Sequence, residues 1–137
     1  MCFAKRSVIR DSLKKNGFKV TKRNVLNTEI NELDKDYDLM LFGCSTWSFG
    51  EDEFEMQSGF KPFYNEIGQY QFINKKIGVF GCGDSSYKYF CSAVDQIEEL
   101  ISSKNGSLAG SSLKVDGDPF RNSTDINKWV STLVKSV

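Results

Sequence analysis

The chain has 137 residues, of which 39% are hydrophobic and 26% charged, which is ordinary for a globular protein that can bury a core. Basic and acidic residues both number 18, so the net charge excludes a general attraction to nucleic acid or to an anionic membrane. Histidine is absent, which excludes Ser-His and Cys-His catalysis.

The first 83 residues predict two helices and three strands, two of which are buried. "FAKRSVIRDSLKKNGFKV" is typical of a helix that ends at Asn16-Gly17 and is followed by a strand. "DYDLMLFGC" is a continuous apolar run bounded by charge and glycine, which predicts a central parallel strand buried on both faces. "FKPFYNEI" predicts the start of a short helix, and "KKIGVFGCG" repeats the buried-strand pattern.

The second half predicts two amphipathic helices and one weaker strand. Helical spacing begins at Phe90 and ends at "SKNG", a C-cap signal, with apolar positions at Ala93, Val94, Ile97, Leu100 and Ile101. "SLAGSSLKV" predicts a split strand. "STDINKWVSTLV" predicts a last helix capped by Ser123 or Thr124, with one apolar face formed by Ile126, Trp129, Val130 and Leu133.

Strands that alternate with helices predict an α/β protein of three layers around a parallel sheet, which we expect to be one domain over residues 1–137. Such sheets bind ligands at the carboxyl ends of their strands. Two unusual loops follow the strands that end at Cys44 and Cys82. Their position predicts a ligand site without reference to any family.

The two loops each carry an aromatic residue a few positions after a strand end. Trp47 and Tyr87 can therefore face each other across a crevice and leave a slot for a flat ring. Backbone N–H groups of residues 81–84 can bind the polar edge of that ligand, because glycine allows close approach. The alternative is that both rings cap the sheet edge. For Trp129, on an amphipathic helix, core packing is the expected role.

The motifs "LFGCSTW", "FGCGDSSYKYFC" and "VDGDP" resemble those of flavodoxins of the short-chain type, which bind flavin mononucleotide (FMN) and carry single electrons. The resemblance runs from the first helix to the last residue. It implies a three-layer α-β-α flavodoxin-like fold with a parallel sheet of order 2-1-3-4-5. "SLAGSSLKVDGD" leaves no room for the insertion of the long-chain type.

The resemblance also implies roles for individual residues. It places Trp47 and Tyr87 on the two faces of the flavin ring, Ser45 near the phosphate and Thr46 near the ribityl chain. No side chain is implied as a catalyst, because the flavin carries the electron. The surroundings of the ring are implied to be formed by Ser48, Cys82, Gly83, Asp84, Tyr89, Phe90 and Cys91.

The charge near these loops predicts a low second reduction potential. Fully reduced flavin is an anion, and an apolar aromatic slot disfavours an anion by desolvation. The acidic residues near the slot would repel it further, or would dock a basic redox partner; they are Glu51, Asp52, Glu53, Glu55 and Asp84. An acidic loop that is merely solvated is the alternative.

The chain departs from the flavodoxin pattern in two places. It begins at the first helix, without the first strand and the T-x-T-G-N-T loop that binds the flavin phosphate, so we expect a natural protein that starts upstream and an N-terminally truncated sequence here. Loss of three charged hydrogen bonds would weaken FMN binding by roughly 10³–10⁴-fold. Ser48 replaces the family's glycine, which makes a positive φ costlier by about 1 kcal/mol.

Location and partners follow from what the sequence lacks. The four cysteines form no C-x-x-C pair and suit buried thiols in a reducing compartment, so we expect a cytoplasmic monomer without membrane or nucleic-acid partners. The main hypothesis is an electron carrier between redox partner proteins. The alternatives are an NAD(P)H-dependent flavin or quinone reductase and a flavin-free binding domain of the same fold.

Overall fold

Helices and strands alternate in the computed structural model, which describes residues 2–48, 54–56, 60–83, 91–117 and 122–137, with side chains except in residues 2–6, 45–48 and 54–56. Two short 3₁₀ helices, Val25–Asn27 and Ile30–Asp34, precede the first strand. The main elements are α1 (Cys2–Lys15), β1 (Met40–Ser48), β2 (Phe54–Met56), α2 (Lys61–Ile67), β3 (Lys76–Gly83), α3 (Ser92–Ser103), β4 (Ser107–Leu108), β5 (Leu113–Asp116) and α4 (Ser123–Ser136).

Strand β3 is the centre of the sheet. It pairs in parallel with β1 from Met40–Ile77 to Ser45–Cys82. It also pairs in parallel with β4 at Lys76 and Ile77 and with β5 from Phe80 to Gly83. The split strand predicted from "SLAGSSLKV" is therefore confirmed: β4 and β5 are its two halves.

Helices cover both faces of this sheet, which confirms the three-layer α-β-α architecture. On one face, Phe63 of α2 and Val94 of α3 pack against Phe42 and Val79 of the sheet. On the other face, Leu13 of α1 and Trp129 of α4 pack with Phe80. The central strands β1 and β3 therefore supply side chains to two separate cores, one on each face of the sheet, which explains the continuous apolar runs in the sequence.

Helix α1 ends at the position predicted from its Asn-Gly signal. The N–H of Phe18 donates to the carbonyl of Leu13 (3.1 Å), and the N–H of Gly17 donates to the carbonyl of Lys14 (3.0 Å). Gly17 adopts a φ of +86°, as the left-handed position of this cap requires. Phe18 and Leu13 both join the core under α1 and α4, so the cap also fixes where the chain re-enters the protein.

The strand predicted after Gly17 is wrong, because residues 18–24 belong to no strand. Phe18 and Val20 do pack inward while Lys19 is exposed, as alternation predicts. A strand also needs a hydrogen-bonded neighbour, and none of the described strands lies beside these residues. Residues 40–43 of β1 likewise have β3 as their only strand partner in the described part of the chain.

The last helix has its predicted apolar face but a different cap. Ile126, Trp129, Val130 and Leu133 are all buried, and the indole N–H of Trp129 donates to the carbonyl of Ser111 (2.7 Å). Core packing for Trp129 is therefore confirmed. The N-cap is Asn122, not Ser123 or Thr124, and its side-chain amide donates to the carbonyl of Asp116 (3.0 Å). This contact joins the start of the helix to β5.

Candidate functional site

The ends of β1 and β3 bring the two predicted loops together. Ser45 lies opposite Cys82 at the last position of the parallel ladder. Because neighbouring strands lie about 4.8 Å apart, the chain segments that follow these two residues start side by side. This register is the geometric core of the candidate site.

The segment after Cys44 is not a loop, and that prediction is wrong for its first four residues. Ser45, Thr46, Trp47 and Ser48 continue strand β1. The reason is a short strand that the sequence did not predict: β2 pairs antiparallel with β1, with Trp47 opposite Glu55 and Ser48 opposite Phe54. The alternation Phe54-Glu55-Met56 was the available signal, but three residues are too few for periodicity to identify.

The end of β3 offers its main chain rather than its side chains. Cys82 is only 5% exposed, so its thiol lies inside the protein. Gly83 is half-buried, and its carbonyl accepts a hydrogen bond from the N–H of Gly117 just after β5 (3.3 Å). The exits of β3 and β5 are therefore joined at this edge of the sheet.

Cys91 closes the second loop at the start of α3. It is fully buried, and its backbone adopts the left-handed conformation with φ 53° and ψ 31°. This conformation is uncommon for residues other than glycine and costs about 1–2 kcal/mol. Its carbonyl accepts a hydrogen bond from the N–H of Val94 (3.0 Å). The buried side chain thus holds a strained turn at the end of the candidate loop.

An ion pair ties α3 to β5 next to the site. Lys114 of β5 lies opposite Gly81 of β3, and its ammonium is 2.8 Å from a carboxylate oxygen of Asp95 in the first turn of α3. Both side chains are partly exposed, so the pair contributes at most about 1 kcal/mol to the stability of the fold. Sequence analysis missed this contact, because nothing in the sequence links two charged residues from different elements.

Gly81 is the residue that lets α3 approach β3. A Cβ on Gly81 would lie 2.4 Å from Cγ2 of Val94 and 2.6 Å from the carbonyl oxygen of Cys44. Both distances are far below contact, and one neighbour is the main chain of β1. Glycine is therefore required at this position for the close packing of β1, β3 and α3.

Four of the predicted site residues lie outside the described part of the chain: Asp84, Tyr87, Tyr89 and Phe90. The acidic residues Glu51, Asp52 and Glu53 do as well, whereas Glu55 lies on β2. The structure thus pairs the main chain of Ser45 with that of Cys82, while residues 46–48 pair with β2. The facing of Trp47 and Tyr87 remains a prediction.

Comparison with known proteins identifies relatives along nearly the whole chain. The family model described as Flavodoxin matches residues 4–129. The flavodoxin of Maridesulfovibrio salexigens is 44% identical over 118 residues, which are 86% of this chain and 78% of the relative. The flavodoxin of Nitratidesulfovibrio vulgaris is 40% identical over 121 residues, which are 88% of this chain and 80% of the relative.

The fold is also found among solved structures. Oxidised flavodoxin 2 from Bacillus cereus superposes with a TM-score of 0.87 over 97% of this chain and 89% of that chain. Its sequence identity is 24%, so this similarity concerns the fold alone. It supports the arrangement of helices on both faces of a parallel sheet.

Proposed function

Because the chain belongs to the flavodoxin family, we propose that it binds FMN at the carboxyl ends of β1 and β3, between Trp47 and Tyr87. The protein is an electron-transfer protein that uses FMN and exchanges electrons with redox partner proteins; it is not an enzyme. What we propose is where the cofactor lies and which residues hold it.

One observation carries this placement: Ser45 and Cys82 occupy the same position of the ladder, so residues 45–48 and the loop after Gly83 start side by side. The chemistry of the described residues fits a flavin. Main-chain groups of Cys82 and Gly83 stand at a strand end, where they can bind a polar ring edge. No described atom lies within 4 Å of a Cβ built on the neighbouring Gly117.

Each group of residues has a distinct role in the proposal. Trp47 and Tyr87 flank the ring and exclude water from it, Ser45 and Thr46 bind the phosphate and ribityl chain, and the loop to Cys91 surrounds the ring. When bound, FMN supplies the single-electron chemistry, and no side chain is assigned that role. The other proposed members of the site are Ser48, Cys82, Gly83, Asp84, Tyr89 and Phe90.

Finer aspects of the function are also proposals. We propose that a basic redox partner docks at the acidic segment Glu51–Glu55, because opposite charges accelerate encounter. We propose that one flavodoxin-like domain spans residues 1–137 and works as a monomer in the cytoplasm, without nucleic acid or membrane. Cys44, Cys82 and Cys91 are buried and form no disulfide in the described part of the chain, which supports a reducing compartment. No helix in the described ranges is long and apolar enough to cross a bilayer.

Titration of FMN with the purified protein, followed by flavin fluorescence, tests the placement. The variants Trp47→Ala and Tyr87→Ala should each weaken binding by roughly 3- to 10-fold and shift the flavin absorption, since an aromatic contact contributes about 0.5–1.5 kcal/mol beyond area burial. Trp129→Phe is the control, because Trp129 lies in the core with its N–H bonded to Ser111. If both alanine variants bind FMN like the parent, the aromatic slot is wrong.

A further inference from the structure

The charges of this neutral chain are separated along its length. Residues 1–23 contain 8 of the 18 basic residues and only 1 of the 18 acidic residues, Asp11. Residues 24–137 contain the other 10 basic and 17 acidic residues. Residues 1–23 are therefore strongly basic, although the net charge of the whole chain is zero.

The fold exposes the basic residues at the carboxyl end of this segment. The apolar residues of α1, such as Ile9 and Leu13, are buried against α4 and the sheet, while Lys14 and Lys15 are exposed. After the turn at Gly17, Lys19 is exposed between two inward-packed residues. We call the exposed basic residues between positions 14 and 23 the basic surface: Lys14, Lys15, Lys19, Lys22 and Arg23.

Neighbouring acidic groups pair with only part of this surface. Arg23 has an ion pair with Glu32 at 3.7 Å, and Glu32 is also 2.9 Å from Lys35. Asp11 pairs with Arg10 at 3.2 Å. Lys14, Lys15 and Lys19 have no ion pair with any residue whose side chain the structure describes. Their positive charge is available to another molecule.

Helix stability accounts for only part of this surface. Lysines in the last turn of a helix stabilise it through the helix dipole, by about 0.3–1 kcal/mol each. That reason covers Lys14 and Lys15, which are the basic residues of the last turn of α1. Lys19, Lys22 and Arg23 follow the helix end and have no such role.

We propose that the basic surface docks the acidic face of a partner protein. Within residues 14–23 the apolar side chains of Phe18 and Val20 pack inward and cannot insert into a bilayer; the exposed Leu26 lies outside this range. The described side chains of residues 14–23 include no exposed aromatic ring that could stack on a base. An electron carrier must meet protein partners, and lysine-rich surfaces steer such encounters. None of the proposed FMN-binding residues lies on α1 or residues 16–23, so this is a second surface.

The proposal can be tested with the FMN-loaded protein and poly-L-glutamate as the acidic probe. The triple variant Lys14→Gln, Lys15→Gln and Lys19→Gln should bind the probe about tenfold more weakly at low salt. A matched variant removes the same charge elsewhere, by Lys104→Gln, Lys128→Gln and Lys135→Gln, and should lose less than about twofold. Lysine acetylation of the parent should be suppressed by the probe at Lys14, Lys15 and Lys19.

The outcomes separate the classes of partner. Binding of the parent to poly-L-glutamate should weaken strongly between about 20 mM and about 200 mM salt. Equal losses in the two triple variants would overturn the proposal. So would tighter binding of phosphatidylserine vesicles or of duplex DNA than of poly-L-glutamate at the same salt concentration. Retained flavin absorption in both triple variants shows that the FMN site is intact, so the result does not depend on where FMN binds.

Discussion

Ser45 of β1 lies directly opposite Cys82 of β3, at the last position where these two strands are paired. Beyond this position the partners change: β1 turns to β2, and β3 remains beside β5 up to Asp116. The sheet therefore opens between the two central strands at their carboxyl ends. Ligands of parallel α/β sheets bind at such openings.

Neutralising the acidic segment should raise the potential at which FMN takes its second electron. Fully reduced flavin is an anion, so removing nearby negative charge favours it. The variant carries Glu51→Gln, Asp52→Asn, Glu53→Gln and Glu55→Gln, and the measurement is a spectroelectrochemical titration. The control removes four charges from other elements, by Asp36→Asn, Glu66→Gln, Glu98→Gln and Glu99→Gln. An equal shift in the control would show that only net charge matters.

Cys91 should prefer glycine to alanine, the reverse of the order inside a helix. The left-handed backbone at Cys91 costs alanine about 1–2 kcal/mol and costs glycine almost nothing. Cys91→Gly should therefore unfold in urea at a higher concentration than Cys91→Ala. Ala93→Gly in α3 is the reference with ordinary helical backbone, and it should be destabilising by about 1 kcal/mol. Greater stability of Cys91→Ala would contradict the strained turn.

Gly81→Ala should destabilise the protein by more than a glycine substitution in open space. Its Cβ would lie 2.6 Å from the carbonyl oxygen of Cys44, so β1 and β3 must separate or α3 must move. Such overpacking costs about 1–3 kcal/mol or more. Gly17→Ala has a φ of +86° with no atom within 4 Å, so it meets backbone strain alone, about 1 kcal/mol. Equal urea midpoints for the two variants would refute the close packing.

Tyr70 should make stability depend on pH in the alkaline range. Burial, and then the hydrogen bond from its hydroxyl to Asp34 (2.9 Å), raise the pKa of Tyr70 above 10.0. As the pH rises through 10, the unfolded chain loses the phenolic proton before the folded protein does, so the unfolded state binds fewer protons and stability falls.

The variant Tyr70→Phe isolates this effect. At pH 7 the parent should be more stable by about 1 kcal/mol, the usual contribution of one hydrogen bond. The difference between the two proteins should shrink above pH 10, because only the parent can lose the proton of Tyr70. Urea unfolding of both proteins at pH 7, 9 and 10.5 measures this difference in stability. A constant difference across this range would exclude a raised pKa for Tyr70.

Much of the architecture was predictable because it depends on local rules. The runs that end at Cys44 and Cys82 are apolar throughout, which indicates strands covered on both faces. The apolar face around Trp129 follows helical spacing, and Gly17 supplies the left-handed residue of a helix cap. Each signal acts within a few residues, so the sequence alone carries it.

The errors in the prediction arise where a segment depends on a distant partner. Residues 18–24 have the alternation of a strand, but no described strand lies beside them. Trp47 follows a strand that we expected to stop at Cys44, yet pairing with Glu55 of β2 prolongs it. Asn122, rather than Ser123 or Thr124, is the N-cap position of α4, and its amide donates to the distant carbonyl of Asp116. Hydrogen bonding between segments decides these cases.

By itself, the sequence determined the α/β class, the two central strands, the amphipathic helices and the motifs that indicate a flavin site. Only the tertiary structure decided that Ser45 lies opposite Cys82 and that the backbone of Cys91 is strained. It also decided that the residues of the basic surface are exposed. The physical reason is the distance along the chain over which each kind of interaction acts. Helix and strand signals come from neighbours in the chain, whereas register, strain and surface charge depend on contacts between residues far apart in it.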